Sequence, residues 1–197
     1  MIAGQERIAL FGGSFDPPHH AHLAIARAAA GHCRLHQVIF IPCQESPLKG
    51  KPPGASGPDR LAMLRLATGG LPWAAVSEWE LSRSGPSYSW QTAEHFAAAH
   101  PGATLHWLMG ADQWAALDRW AHPDILRERL TFIVFARDGS PPAPRAGWRS
   151  IFLPGEFPGS STEARRLLAS GASTAGLLPE AVADYAVRKR LYAPADQ

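Results

Sequence analysis

Several things are missing from this chain of 197 residues, and each absence removes a class of function. There is no block of like charge and the formal net charge is only +2, so no concentrated basic surface offers itself to nucleic acid or to an acidic membrane. No apolar run is long enough to span a bilayer; Phe132 to Ala136 is typical of the longest. The N-terminus has no charged segment leading into a long apolar one, so secretion and membrane insertion are not expected. Cysteine is nearly absent. Cys33 and Cys43 have neither C-x-x-C spacing nor metal-type neighbours, which predicts reduced thiols in a cytoplasmic protein. Lysine is scarce too, and two of the three, Lys49 and Lys51, share one loop. Two nucleotide motifs are missing as well: no G-x-x-x-x-G-K-S/T and no G-x-G-x-x-G behind a strand, which excludes a P-loop ATPase and a hydride-transferring dehydrogenase.

What remains is a chain with 46% hydrophobic residues, enough for a sizeable core, and we expect residues 1–197 to form one domain. Short apolar runs alternate with helical patterns. The runs are Arg7 to Phe11, Val38 to Ile41, Trp73 to Ser77, Thr104 to Met109, Leu130 to Ala136 and Arg149 to Leu153. Helices are expected over 22–30, 58–67, 89–99, 161–169 and 179–188. This order predicts an α/β fold, a Rossmann-like doubly wound parallel sheet with helices on both faces. Ligands of such sheets sit at the carboxyl ends of the strands, so Gly110 to Asp112 and Arg137 to Gly139 are expected at a site.

The stretch Gly12-Gly13-Ser14-Phe15-Asp16-Pro17-Pro18-His19-His20-Ala21-His22 joins the first strand to the first helix. Such a loop directs the free N–H groups and positive dipole end of a helix start over the strand, a position that favours phosphate. His19 and His22 stand there, while His20 between them faces elsewhere on helical geometry and receives no role. Far downstream, Ser160-Ser161-Thr162 opens another helix with Arg165 one turn on; hydroxyls, free N–H groups and a guanidinium make a second anion site.

The first stretch resembles the G-G-S/T-F-D-P-x-H-x-G-H motif of the nucleotidylyltransferase superfamily, and most closely that of the bacterial nicotinate-nucleotide adenylyltransferases. Ala21 stands where that family usually has glycine. Gly110-Ala111-Asp112 with Leu117 and Trp120 is similar to the family's G-A-D-x-x-x-x-L-x-x-W. Ser87 to Thr92 resembles S-Y-T-x-D-T, with Gln91 in place of the acid. Pro47-Leu48-Lys49 resembles P-P-H-K, and Ser160 to Arg165 resembles I-S-S-T-x-x-R with Gly159 for the isoleucine.

The resemblance implies transfer of the adenylyl group of ATP to nicotinate mononucleotide, giving deamido-NAD and pyrophosphate. Catalysis would fall to His19, His22, Lys49 and Arg165. ATP would meet Gly12, Gly13, Ser14, Phe15, His19, His22, Gly110, Asp112, Ser160, Ser161, Thr162 and Arg165. The mononucleotide would meet Ser14, Lys49, Tyr88, Ser89, Trp120 and Arg137. No protein-bound metal centre is expected; Mg²⁺ would arrive on the ATP phosphates. Plainer readings stand beside these: Lys49 as a solvated loop lysine that Lys51 would replace, Asp112 and the serines as helix caps, Trp120 as core. Two other activities stay open: a sibling transferase acting on nicotinamide mononucleotide or a pantetheine phosphate, and a module that binds nucleotide without turning it over.

Overall fold

In this computed structural model, which describes residues 5–47, 52–136 and 140–193, six parallel strands form one sheet. Their order is β3-β2-β1-β4-β5-β6. The strands are β1 (Arg7–Gly13), β2 (Gln37–Pro42), β3 (Ala74–Val76), β4 (Thr104–Gly110), β5 (Thr131–Phe135) and β6 (Ser150–Leu153). Between and after them run helices α1 (His20–His32), α2 (Gly57–Thr68), α3 (Ser89–Ala99), α4 (Ala111–Ala115), α5 (Pro123–Arg129), α6 (Ser161–Ala169) and α7 (Glu180–Arg188).

The alternation of side chains along a strand explains why both faces are covered. On β1, Ala9 and Phe11 join one buried cluster with Val38, Phe40 and the α1 residues Ile25, Ala26 and Ala29. Ile8 and Leu10 point the other way, into a cluster with Ile39, Ile41, Trp107, Met109, and Phe96 of α3. A third, smaller cluster joins Met63 and Ala67 of α2 to Val182 and Ala186 of α7, and so fastens the C-terminal helix to the molecule. Each fully buried large apolar side chain contributes about 1.5–3 kcal/mol.

The strand order reverses between β1 and β4, which register side by side from Arg7 opposite Thr104 to Leu10 opposite Trp107. Their chains leave the sheet in different directions, so a crevice opens at their carboxyl ends. That crevice lies beside Gly12 and Gly13 of β1 and Gly110 of β4. A Cβ on Gly12 would lie 2.9 Å from Cζ2 of Trp107, so only glycine lets that indole lie across the end of β1.

Candidate active site

The loop after β1 is fixed from within. Phe15 adopts φ +48°, a left-handed conformation costing an aromatic residue about 1–2 kcal/mol. Burial of its ring offsets that cost: the ring stands edge-on to Phe11 at 5.5 Å and tilted to Phe40 at 5.8 Å. The same ring meets His22 at 5.0 Å, so the strained residue also holds an imidazole in place. The following Asp16–Pro17 peptide bond is cis.

His19 is the extended N-cap of α1 and is buried, while His20, the first helical residue, is exposed as expected. The His19 and His22 rings stack with centroids 3.7 Å apart. The backbone N–H of His19 donates to Nδ1 of His22 at 3.2 Å. An accepting Nδ1 leaves the ring proton on Nε2, so His22 offers an N–H donor beyond the helix start. No acidic residue stands in the first turn of α1 to compete with a bound anion.

Helix α6 is capped by Ser160, whose hydroxyl accepts from the Glu163 N–H at 3.4 Å. Ser161 Oγ donates to the carbonyl of Pro17 at 3.0 Å across 144 positions of sequence. Arg165 Nη1 donates to the carbonyl of Asp16 at 2.7 Å, and its Nη2 to Thr162 Oγ1 at 3.2 Å. The two stretches expected to bind anions are therefore joined directly.

Asp16, only 5% exposed, is the knot of that junction. Its carboxylate accepts from the N–H groups of Gly54 and Ala55 at 2.6 and 3.0 Å and from the Tyr192 hydroxyl at 2.7 Å. Arg165 Nη1 lies 3.8 Å from it. Burial first, then the bond to Asp16, pushes the Tyr192 phenol far up, so it stays a donor. Buried Arg60 completes the frame, giving Nη1 to the Ser14 carbonyl at 2.9 Å and Nε to that of Ala55 at 3.3 Å.

Two cavities share a wall at Gly12, Gly13, Ser14, Ser46, Gln113 and Arg119. The larger, about 1130 Å³, is lined by Phe15, His19, His22, Gly110, Asp112, Ser160, Ser161, Thr162 and Arg165. The smaller, about 270 Å³, is lined by Tyr88, Ser89, Trp107, Trp120 and Glu80. In it Trp120 stands perpendicular to Trp107 with ring centroids 5.9 Å apart. A chamber lined by imidazoles and guanidinium beside an aromatic one suits two substrates meeting at the β1 glycines.

The cytidylyltransferase-like family model matches residues 10–167, from β1 through the first turns of α6. The chain belongs to that family. Its relatives include two proteins named probable nicotinate-nucleotide adenylyltransferase. The one from Bordetella petrii is 43% identical, covering 95% of this chain and 99% of that protein; the one from Gloeobacter violaceus is 38% identical, covering 95% and 96%. The same fold occurs in a Plasmodium falciparum nicotinic acid mononucleotide adenylyltransferase complexed with NaAD. That structure has TM-score 0.79 and 18% identity, covering 95% of this chain and 98% of that one.

Within this family member the larger cavity gathers every residue expected for ATP. Of those expected for the mononucleotide, Tyr88, Ser89 and Trp120 line the smaller cavity, and Ser14 lines both. Lys49 and Arg137 lie outside the described residues, as does Lys51. The plainer capping readings come out unevenly. Ser160 does cap its helix. Asp112 sits in the first turn of α4 behind the N-cap Gly110, and the N-cap of α3 is Tyr88 with no side-chain bond. Ser87 Oγ instead accepts from the Gln44 N–H at 2.9 Å.

Sequence reasoning missed Glu80. It is buried, its carboxylate accepts from Thr92 Oγ1 at 2.6 Å, and burial holds its pKa above the usual carboxylate range against the bonds from Thr92 and Ser87. The carboxylate that Gln91 lacks is thus present at the start of α3, from another part of the chain. Arg60, Arg119 and Tyr192 were missed as well. The buried and unbridged Cys33 and Cys43 are small apolar side chains, Cys43 at the wall of the smaller cavity.

Proposed function

We propose that the protein transfers the adenylyl group of ATP to nicotinate mononucleotide, giving deamido-NAD and pyrophosphate in NAD biosynthesis. The observation that carries this reading is the shared wall between the cavity lined by His19, His22 and Arg165, which suits an anion, and the aromatic cavity of Tyr88 and Trp120. In this reading the triphosphate occupies the first and the pyridine ring the second.

A phosphate monoester has a second pKa of about 6, so the attacking phosphate is already ionised at neutral pH and needs no general base. One of its oxygens forms a bond to the α-phosphorus while the bond from that phosphorus to the bridging oxygen breaks. The electron pair leaves on pyrophosphate. What the protein supplies is alignment of two anions and relief of the charge that builds on the transferred group. His22 donates its Nε2–H there, His19 stacks against it, and Arg165 meets the triphosphate from the far side. Lys49 and Arg137 are assigned to the mononucleotide.

Among the described residues no three His, Cys, Asp or Glu side chains gather to hold an ion, and the Asp16 carboxylate is committed to Gly54, Ala55 and Tyr192. This donor set fits an Mg²⁺ ion carried in by the ATP phosphates, where it would neutralise their charge. We take the whole chain, 1–197, as one domain. Its unbridged cysteines suit the cytoplasm, and no helix among the described residues is long and apolar enough to cross a membrane.

The test is release of pyrophosphate from ATP against a panel of acceptors: nicotinate mononucleotide, nicotinamide mononucleotide, a pantetheine phosphate, and none. Release that depends on the mononucleotides and is fastest with the acid is expected. Fastest release with another acceptor identifies a sibling transferase, and ATP binding without release identifies a non-catalytic module; either outcome contradicts the proposal.

A further inference from the structure

Arg119 ends the 3₁₀ turn Leu117–Arg119 between α4 and α5. Its main chain is pinned: Arg119 N–H donates to the Ala116 carbonyl and Trp120 N–H to that of Leu117, both at 3.0 Å. Leu117 beside it is fully buried. The side chain is exposed, and among the described residues it has no side-chain hydrogen bond or ion pair. Its neighbour Asp118, the nearest carboxylate in sequence, is taken by Arg145.

Arg119 is also the one described guanidinium that lines both cavities, and the one described cation in the wall of the smaller. The one carboxylate there among the described residues, Glu80, is bonded to Thr92. On the reading proposed above, which this step rests on, the pyridine ring enters the smaller cavity and its phosphate must stop at the shared wall, facing an ATP phosphate. Two anions brought together there repel unless a cation lies between them, and a guanidinium offers a planar pair of donors to one phosphate.

We infer that Arg119 binds the 5′-phosphate of the acceptor mononucleotide and, after transfer, the same phosphate in the bridge of the dinucleotide. It therefore makes the site select a nucleotide over the corresponding nucleoside. The exposed position of Arg119 means its replacement leaves the core intact.

The experiment is calorimetric titration of the wild-type, Arg119→Ala and Arg119→Lys proteins with nicotinate mononucleotide and with nicotinate riboside, alongside steady-state kinetics. Arg119→Ala is expected to weaken the mononucleotide about tenfold or more, the loss of a charge-assisted hydrogen bond, with the riboside unchanged. Arg119→Lys falls between, and KM rises for the mononucleotide while KM for ATP stays within about twofold. Equal weakening of both ligands, no weakening of either, or a rise confined to KM for ATP overturns the assignment while leaving the adenylyl-transfer reading intact. A wild-type protein that binds neither ligand overturns both.

Discussion

The Cβ of Ala21 lies 2.9 Å from where a Cβ on Gly159 would have to be. The two departures from the family motif are thus complementary. Ala21 is buried within α1, in a conformation that suits alanine, and its methyl faces the backbone of Gly159 instead of either cavity. Gly159 has φ +148°, and a side chain on it would also come within 3.1 Å of His19 Nδ1.

From this pairing, Gly159→Ala costs about 1–3 kcal/mol through crowding and an unfavourable backbone angle. Ala21→Gly costs about 1 kcal/mol, mostly helix propensity. The double variant recovers the crowding and keeps the backbone cost, so denaturant unfolding shows a coupling above about 0.5 kcal/mol. Strict additivity would mean the residues do not share that space.

His22→Ala lowers kcat by about 10²–10³-fold, the loss expected for one donor to developing charge. The melting temperature is the control, since His22 packs against Phe11 and Phe15. Pyrophosphate release near the wild-type rate would remove the imidazole from the chemistry.

Tyr192→Phe deletes one hydroxyl and leaves the buried Asp16 carboxylate short of a donor, at a cost of about 1.5–3 kcal/mol in urea unfolding. Because Arg165 is held by the same residue, KM for ATP rises more than KM for the mononucleotide. Equal changes in both would uncouple the C-terminal tyrosine from the triphosphate cavity.

His106, on β4, is 2% exposed, and its Nδ1–H donates to the Ile8 carbonyl at 3.3 Å. Burial, helped by the Arg7 charge, holds its pKa below the ordinary 6.5 despite bonds to the carbonyls of Ile8 and Thr104. A base whose folded value is depressed gives stability that is whole above the unfolded value and lost as pH falls through the folded one. Melting temperature is therefore flat from about pH 8 to 7 and falls below about 6.5, at no more than about 1.4 kcal/mol per pH unit from this group. His106→Gln flattens that fall; half-buried His95, lowered chiefly by burial, supplies a smaller share.

The elements that were readable in the sequence are those with room for a period. Arg7 to Phe11 and the unbroken apolar run Val38 to Ile41 are both strands; β1 starts at Arg7 as expected and runs on to Gly13, and β2 is longer by one residue at each end. Helix α3 and helix α6 fall on the expected bounds. Ala111–Ala115 and Pro123–Arg129 were missed because five or seven residues do not display a repeat of 3.6.

The site divides the same way. His19, His22 and Arg165 stand in local motifs. Glu80, Arg60 and Tyr192 take their roles from partners far along the chain, as in the bond joining Tyr192 to Asp16 across 176 positions. One hint was available for Arg60: it adjoins Leu61 on a helix whose apolar face also carries Leu64, and all three are buried.

The most direct measurement is a crystal structure of this chain with a non-hydrolysable ATP analogue. The triphosphate is expected within hydrogen-bond distance of His22 on one side and of Arg165 and the start of α6 on the other. A triphosphate bound away from either group, with the larger cavity empty, would contradict this expectation.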